Sequence, residues 1–198
     1  VHLVVAELDK KYGKVDYCIA QGAMWEWGYR TSDEVLEEYY SEVKNFDADI
    51  IVAVGGGSAM DMSKLIRFFF SYQGDVTGKV FQKSNNKILP LIAIPTTAGT
   101  GAEATHFSVL YKDKVKYSVE HDDMLPDYAI IYPLFTYNNP KYLTACTGFD
   151  ALAQAIEAFW NKNATDESDS YAEKAISMIW NNLPIFGTSN THSLPNPN

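Results

Sequence analysis

The stretch IVAVGGGSAMDMSKLI, residues 51–66, decides the fold that the sequence predicts. Its first four residues are apolar on both faces and mostly β-branched, which is typical of an inner strand of a parallel sheet. Three glycines follow, and a helical apolar pattern begins directly after them. The order predicts a strand, a tight turn and a helix, the unit from which layered α/β sheets are built.

The glycine turn predicts a place for an anion. Gly56 and Gly57 lack side chains, so backbone N–H groups can approach a phosphate, and the following helix offers the positive end of its dipole. Ser58 and Asp61 have the S-x-x-D spacing of a capping box, which would fix the helix start. The pattern is neither GxGxxG nor a Walker loop, so a capped turn without a ligand remains an alternative.

A second turn of the same kind follows a second apolar run. ILPLIAI, residues 88–94, leads into PTTAGTGAEAT, in which Thr96, Thr97 and Thr100 supply hydroxyls and Gly99 and Gly101 allow close backbone approach. Because successive parallel strands end at the same edge of a sheet, we expect the two turns to form the walls of a phosphate-binding crevice. Two unrelated tight turns are the alternative.

Composition limits the classes of function. The chain has 198 residues, 46% of them hydrophobic, and a net charge of -9, which predicts a globular protein and argues against nucleic acid or an anionic membrane as partner. No apolar run is long enough to span a membrane, and the N-terminus does not resemble a signal peptide, so we expect a cytoplasmic location. Cys18 and Cys146 stand far apart, which favours reduced thiols.

The remaining pattern alternates helix and strand up to residue 134 and is helical afterwards. We predict an α/β domain over residues 1–134 that lacks its first strand, the start of an all-helical domain over 135–184, and a disordered tail over 185–198. The chain is thus expected to be a fragment. Other predicted elements are a helix over 1–12, a strand over 14–20, a helix over 34–46, a polar loop around 74–86, a hairpin turn at Lys112 and Asp113, and a strand over 127–133.

Three motifs carry a resemblance to a known family. GGGSAMDMSK, IPTTAGTGAEAT and TGFDALAQAIEAF, in this order, resemble signatures of the iron-containing (group III) alcohol dehydrogenases. Residues 104–131 and 155–168 are similar more narrowly to the branch that includes phosphonoacetaldehyde reductases. The resemblance, from about Ile50 to Leu183, implies a nucleotide-binding parallel-sheet domain followed by a helical domain, an architecture shared with dehydroquinate synthases, with a catalytic cleft between the domains.

The resemblance also implies which residues bind a nicotinamide cofactor, NAD or NADP. Gly56, Gly57 and Ser58 would hold the pyrophosphate, with Asp61 beside it as the helix cap. Lys116 would reach the nicotinamide ribose. The cofactor cleft would be lined by Thr96, Thr97 and Thr100. No catalytic residue is assigned, although His106 could face the substrate.

A divalent metal, iron or zinc, is implied by the resemblance as well. The family binds it through an aspartate and three histidines, the first two of these one helical turn apart. Asp150 matches the aspartate, but Gln154 stands where most members carry histidine, and a carboxamide oxygen is a weaker ligand for iron or zinc than imidazole. From the residues alone, Asp150 could instead stabilise a helix dipole and Gln154 could fill an interior hydrogen-bond site.

These implications predict an NAD(P)-dependent alcohol dehydrogenase or aldehyde reductase that transfers hydride between nicotinamide and a small aldehyde. The more specific prediction of the substrate is phosphonoacetaldehyde. The full-length protein is expected to be a homo-oligomer. The alternatives are a catalytically incompetent nucleotide-binding fragment and an NAD-dependent sugar-phosphate cyclase. We also expect apolar side chains of the helical part to lack partners, namely Phe159, Trp160, Ile176, Ile179 and Trp180.

Overall fold

The computed structural model describes residues 48–75 and 80–188, together with Leu36, Tyr40, Ser41, Val43 and Asn45. Two compact units divide the chain: Val1–Thr96 with Ala102–Tyr132, and Thr97–Gly101 with Pro133–Asn198. The chain therefore passes to the second unit after Tyr132, close to the predicted domain boundary, and the short segment Thr97–Gly101 also belongs to that unit. The predicted helix over 1–12 and strand over 14–20 lie outside the described residues, as does Cys18.

Over residues 48–75 and 80–132, the first unit consists of strands, a long helix and two short 3₁₀ turns. Its strands are β1 (Ile51–Gly55), β2 (Tyr72–Asp75), β3 (Val80–Lys83), β4 (Leu91–Pro95), β5 (Phe107–Lys112), β6 (Val115–Glu120) and β7 (Tyr128–Ala129), and its long helix is α1 (Gly57–Ser71). Short 3₁₀ turns cover Ala102–Ala104 and Asp122–Met124. The five isolated residues described between 36 and 45 are helical, in agreement with the helix predicted there.

Strands β1, β4 and β7 form the predicted parallel sheet, and their order across it is β1–β4–β7. Ile51 pairs with Leu91 at one end of β1, and Gly55 pairs with Pro95 at the other. The Thr96 N–H donates to the Gly55 carbonyl at 2.8 Å. Both strands therefore end at one edge of the sheet, and the two glycine-containing turns start there side by side.

The segment predicted as a polar loop contains an antiparallel hairpin, so that prediction was wrong. Strand β2 pairs with β3, with Tyr72 opposite Lys83. Two rings explain the pairing: Phe81 forms a T-shaped contact with Phe68 at a centroid distance of 4.9 Å, and Tyr72 stacks on Phe68 at 4.6 Å. Apolar contacts with α1 override the polar composition of the segment.

Strands β5 and β6 form the predicted second hairpin. Its turn residues are Asp113 and Lys114, both with positive φ, at 49° and 66°. Positive φ at both central positions is characteristic of a two-residue type I′ turn. The turn therefore lies one residue later than predicted.

Helix α1 joins the sheet and the hairpins into one core. One buried cluster surrounds Leu65 and Phe68 of α1 and includes Leu110 and Val119 of the second hairpin. Another cluster surrounds Met60, with Ala53 and Leu91 from the sheet and Ala102 from the chain after the second turn. Because α1 contributes to both clusters, its position is set by the sheet and by the β5–β6 hairpin together.

The second unit is helical over residues 133–188: α2 (Leu134–Tyr137), α3 (Lys141–Phe159) and α4 (Asp166–Thr188). Helices α3 and α4 touch where a Cβ added to Gly148 would lie 2.5 Å from Leu183 Cδ1. Helix α4 continues through Pro184 to Thr188, so helical backbone extends into the first four residues predicted as tail. Residues 189–198 lie outside the described residues. No described helix has the length and apolarity that a membrane crossing requires.

Large aromatic side chains of the second unit are exposed, as expected. Trp160 is 79% exposed and Trp180 71%, while Phe159 is 40% exposed. Ile176 and Ile179 are half-buried. An apolar hollow of about 380 Å³ lies between α3 and α4 beside Phe159, Ile176 and Trp180.

Candidate functional site

The first glycine turn places the start of α1 directly against the end of β1. Strand β1 ends at Gly55, Gly56 takes the N-cap position and α1 begins at Gly57. A Cβ on Gly55 would lie 2.6 Å from the Cβ of Ala59, a distance that real Cβ atoms do not reach. Glycine at position 55 therefore lets the helix turn back immediately after the strand.

The predicted capping box was wrong. Gly56, which has no side chain, occupies the cap position, and no side chain caps the helix. Since the helix begins at Gly57, Ser58 and Asp61 are already inside it and cannot cap it. The Ala59 and Met60 N–H groups donate to the Gly56 carbonyl at 3.0 and 3.1 Å.

This helix start suits an anion. The first N–H groups of a helix, here those of Gly57 and Ser58, have no carbonyl partner within the helix. The first turn contains no acidic residue, so no carboxylate of that turn neutralises the positive end of the helix dipole. Backbone donors and dipole together favour a phosphate group at the edge of the sheet where β1 and β4 end.

Asp61 faces the β5–β6 hairpin. One of its carboxylate oxygens accepts a hydrogen bond from the Val109 N–H at 3.2 Å, and its carbonyl accepts one from the Ser108 hydroxyl at 2.8 Å. Burial raises the pKa of the Asp61 carboxyl, although the Val109 N–H and the charges of Lys64 and Lys116 act to lower it. Whether Asp61 contacts a cofactor stays a prediction.

Lys64 is fully buried one turn further along α1, and the sequence analysis missed it. Its ammonium group donates to the Thr105 hydroxyl at 2.8 Å and to the Phe107 carbonyl at 3.1 Å. Burial lowers the pKa of Lys64, against the opposing charges of Asp61 and Glu103. The signal was available, because Lys64 lies four residues after Met60 and four before Phe68, on the face that α1 buries.

Lys116 is exposed on β6, opposite Tyr111. Its positive charge acts on the carboxyl of Asp61, so it lies within electrostatic reach of the first turns of α1. An exposed cation there adds to the positive potential of the helix start. The contact with a nicotinamide ribose stays a prediction.

The second turn divides between the two units. Thr96 remains beside Gly55 in the first unit, whereas Thr97 and Thr100 belong to the second. In the second unit Gly99 lies against α3: a Cβ added to it would be 2.9 Å from the Thr147 Cβ and 3.0 Å from the Thr147 carbonyl oxygen. Gln154 reaches the same glycine, since its Nε2 donates to the Gly99 carbonyl at 3.4 Å.

Asp150 and Gln154 are both exposed on α3. The helix begins at Lys141, nine residues before Asp150, so the alternative in which Asp150 stabilises the N-terminal dipole is contradicted. The alternative of an interior polar site does not fit Gln154 either, because that side chain is exposed. Thr147, Asp150 and Gln154 have i, i+3, i+7 spacing, and the Gly99 turn contacts the first and last of them.

The described residues do not complete a metal site. Within residues 48–75 and 80–188 no group of three or more His, Cys, Asp or Glu side chains is arranged to hold an ion. Asp150 and Gln154 offer one carboxylate and one carboxamide oxygen, whereas iron and zinc sites need more donors and favour imidazole or thiolate. The Gln154 Nε2 donates to the Gly99 carbonyl, and the carboxamide oxygen is the atom that could serve as a metal ligand.

His106 lies at the open end of the β5–β6 hairpin. Its Nε2 is 3.0 Å from a Glu120 carboxylate oxygen, and both side chains are exposed. A cavity of about 560 Å³ borders this pair, with Phe81 and His121 on its wall. The contact with Glu120 accounts for the placement of His106, and a role toward the substrate stays a prediction.

Two family profiles match the chain. The profile described as iron-containing alcohol dehydrogenase covers residues 14–133, and the profile of the C-terminal part of the Fe-containing alcohol dehydrogenase family covers residues 144–191. Together they include both glycine turns and the α3 face that bears Asp150 and Gln154.

Named relatives agree with the profiles. Long-chain-alcohol dehydrogenase 1 of Geobacillus thermodenitrificans is 42% identical over 139 residues, which are 68% of this chain and 35% of the relative. Alcohol dehydrogenase of Oenococcus oeni superposes with a TM-score of 0.81 at 28% identity over 96% of this chain and 49% of the other. Sulfoacetaldehyde reductase of Bifidobacterium kashiwanohense, solved with NAD+, superposes with a TM-score of 0.75 at 32% identity over 92% of this chain and 48% of the other. This chain thus matches half or less of each relative's length.

Proposed function

The chain belongs to the iron-containing alcohol dehydrogenase family, and from that membership we propose that it takes part in NAD(P)-dependent interconversion of an aldehyde and an alcohol. The observation that carries the proposal is the uncapped start of α1, which adjoins Thr96 at the edge where two parallel strands end. Open α/β sheets bind nucleotides at this edge.

The residues of the first unit divide the binding of the cofactor among them. The backbone N–H groups of Gly57 and Ser58 hold the pyrophosphate, and the lack of a side chain at Gly56 allows the phosphate oxygens to approach. Thr96 lines the same edge. Lys116, on β6, contributes an exposed cation toward the nicotinamide ribose of the cofactor. The nicotinamide ring, when bound, supplies or accepts the hydride.

The second unit supplies the remaining predicted contacts. The family resemblance implies that Thr97 and Thr100 line the cofactor cleft, and both belong to the turn whose Gly99 contacts Thr147 and Gln154 of α3. The Asp150 carboxylate and the free carboxamide oxygen of Gln154 face solvent on one side of that helix. There they accept hydrogen bonds that orient the alcohol form of the substrate.

We propose a small aldehyde with an anionic group as substrate, phosphonoacetaldehyde first. The support is the narrower sequence similarity of residues 104–131 to phosphonoacetaldehyde reductases, together with the likeness to a sulfoacetaldehyde reductase. Both named aldehydes have two carbons and a tetrahedral oxyanion. The partners of the protein would then be this small molecule, the cofactor and further copies of the same chain.

The test is oxidation of NADH and of NADPH, followed by absorbance, with phosphonoacetaldehyde, sulfoacetaldehyde and uncharged propionaldehyde. We expect turnover of aldehydes, with the highest kcat/KM for phosphonoacetaldehyde. Equal kcat/KM for propionaldehyde would contradict the anionic substrate but leave the aldehyde reductase standing. Folded protein that oxidises neither cofactor with any of the three would contradict the proposed activity.

A further inference from the structure

Two residues of helix α1, Asp61 and Lys64, hold the start of β5 and the residue Thr105 before it through four hydrogen bonds. Lys64 donates to Thr105 Oγ1 and to the Phe107 carbonyl, at 2.8 and 3.1 Å. Asp61 accepts from the Ser108 hydroxyl through its carbonyl and from the Val109 N–H through its carboxylate, at 2.8 and 3.2 Å. We call these six residues, Asp61, Lys64, Thr105, Phe107, Ser108 and Val109, the α1–β5 clamp.

The central side chains of the clamp are shielded from water. Lys64 and Ser108 are both fully buried. A buried ammonium group loses its hydration, and an apolar residue of similar volume would fill the same space without that loss. The lysine instead fixes a direction, because its two hydrogen bonds determine where residues 105 and 107 lie relative to α1.

The clamp acts on both ends of the proposed cofactor site. On one side, Asp61 and Lys64 belong to the helix whose first residues form the anion site at Gly57 and Ser58. On the other side, residues 107–109 begin β5, which pairs along its whole length with β6, including Tyr111 with Lys116. The distance between the helix start and the Lys116 ammonium group therefore depends on the clamp.

We propose that Lys64 is a positioning residue that holds the β5–β6 hairpin, and with it Lys116, at the distance from the α1 N-terminus that a bound dinucleotide spans. Lys64 touches neither substrate nor cofactor in this role. The inference rests on the proposed function, because the two anchors matter together only for a ligand that reaches both.

The test compares a ligand that spans both anchors with one that needs only the helix start. NADH and ADP are titrated by calorimetry into the wild type and Lys64→Met, which keeps the volume and removes the ammonium group. We expect the Kd for NADH to rise about tenfold and the Kd for ADP to stay within about twofold. A parallel rise for both ligands, or no rise, would overturn the proposal.

A double-variant cycle separates positioning from general stability. Since Lys64 is proposed to act through Lys116, Lys64→Met should weaken NADH binding little further in a Lys116→Ala background. Additive losses would show that Lys64 affects binding by another route and would overturn the proposal. Ser63→Ala is the matched control on α1, because the Ser63 hydroxyl donates only to the Ala59 carbonyl of its own helix at 2.8 Å.

Thr105→Val and the wild-type protein itself provide two further tests. If Lys64→Met does not fold, Thr105→Val removes one acceptor of the clamp while keeping the side-chain shape, and it should show the same selective loss of NADH affinity, in smaller measure. Unchanged NADH and ADP binding by folded Thr105→Val would then overturn the proposal. Wild-type protein that binds ADP but no NADH would contradict the proposed function itself, and the inference with it.

Discussion

Gly99 and Gly101 are two residues apart, yet they exclude a side chain for different reasons. A Cβ on Gly99 would collide with Thr147, including its backbone carbonyl, whereas a Cβ on Gly101 would meet no atom within 4 Å. Gly101 instead has a φ of +62°, in the left-handed region that other residues avoid. The sequence shows that both positions are glycine, but it does not show whether a close contact or a left-handed backbone requires glycine at each.

Gly99→Ala should destabilise the chain more than Gly101→Ala. Overpacking against a helix backbone costs about 2 kcal/mol, and a single left-handed residue costs about 1 kcal/mol. The measurement is the free energy of unfolding from urea titrations followed by helical circular dichroism. An equal or larger loss in Gly101→Ala would show that the contact with Thr147 is not what selects glycine at position 99.

Gln154 is the residue whose role the sequence could not decide. Its spacing from Asp150 indicates a shared helix face, which the structure confirms, but the hydrogen bond to Gly99 depends on a turn 55 residues earlier. Likewise, the capping box at Ser58 failed because Gly56 already occupies the cap, and Lys64 was missed because its partners, Thr105 and Phe107, lie 41 and 43 residues later in the sequence. Local spacing predicts faces, while partners come from the tertiary fold.

Gln154→His should bind Zn²⁺ more tightly than the wild type. Imidazole one turn from the Asp150 carboxylate supplies the ligand that zinc prefers, in place of a carboxamide. Calorimetric titration with zinc chloride measures the change, and the double variant Gln154→His/Asp150→Asn should lose the gain. Equal zinc affinity of wild type and Gln154→His would mean that the two side chains do not converge on one ion.

At the scale of elements, periodicity predicts most of the strands and helices. The prediction fails where packing between aromatic side chains determines the secondary structure. The β2–β3 hairpin has a polar sequence, and the packing of Phe81 and Tyr72 on Phe68 stabilises it. A second contact holds the same region, because the Tyr72 hydroxyl donates to a carboxylate oxygen of Asp123 in the 3₁₀ turn Asp122–Met124, which follows β6. That hydrogen bond raises the pKa of Tyr72 to about 12.

The stability of the first unit should fall between about pH 10 and 12 because of Tyr72. Its pKa is 10.0 in the unfolded chain and about 12 in the folded one, so over this window the unfolded state loses a proton that the folded state keeps. The stabilisation is complete below pH 10 and is lost as pH rises through the window. Tyr72→Phe keeps the stacking on Phe68 but lacks the titration, so its stability should fall less steeply with pH.

The measurement is the urea midpoint of both proteins from pH 9 to 12, as far as unfolding stays reversible; this range is about the pKa window of a tyrosine. Tyr128→Phe is the matched control, since it removes an exposed hydroxyl and should follow the wild type. Parallel curves for the wild type and Tyr72→Phe would mean that the Asp123 contact does not hold the Tyr72 proton.

At the scale of the whole molecule, the parallel sheet and both turns at one edge could be predicted from the sequence. Two apolar runs are each followed by a glycine-rich turn, and parallel pairing of those runs makes both turns start at the same edge of the sheet. The assignment of Thr97–Gly101 to the helical unit could not be predicted, because it follows from the contacts of Gly99 with Thr147 and Gln154. The cofactor role of the site residues stays a prediction.

The central claim is that the uncapped start of α1 binds the pyrophosphate of a nicotinamide dinucleotide, and Gly56→Asp tests it most directly. Aspartate is a favoured N-cap residue, so the variant should fold at least as well as the wild type while placing a carboxylate at the anion site. Asn85→Asp is the matched control, since it adds the same charge on the exposed loop before β4, which begins at the opposite edge of the sheet.

Calorimetric titration with NADH is the decisive measurement on these three proteins. The account predicts one site in the wild type and in Asn85→Asp, with similar Kd, and a loss of at least about tenfold in affinity, near 1.4 kcal/mol, in Gly56→Asp. Undiminished NADH binding by folded Gly56→Asp would contradict the claim, and so would the absence of binding by folded wild-type protein.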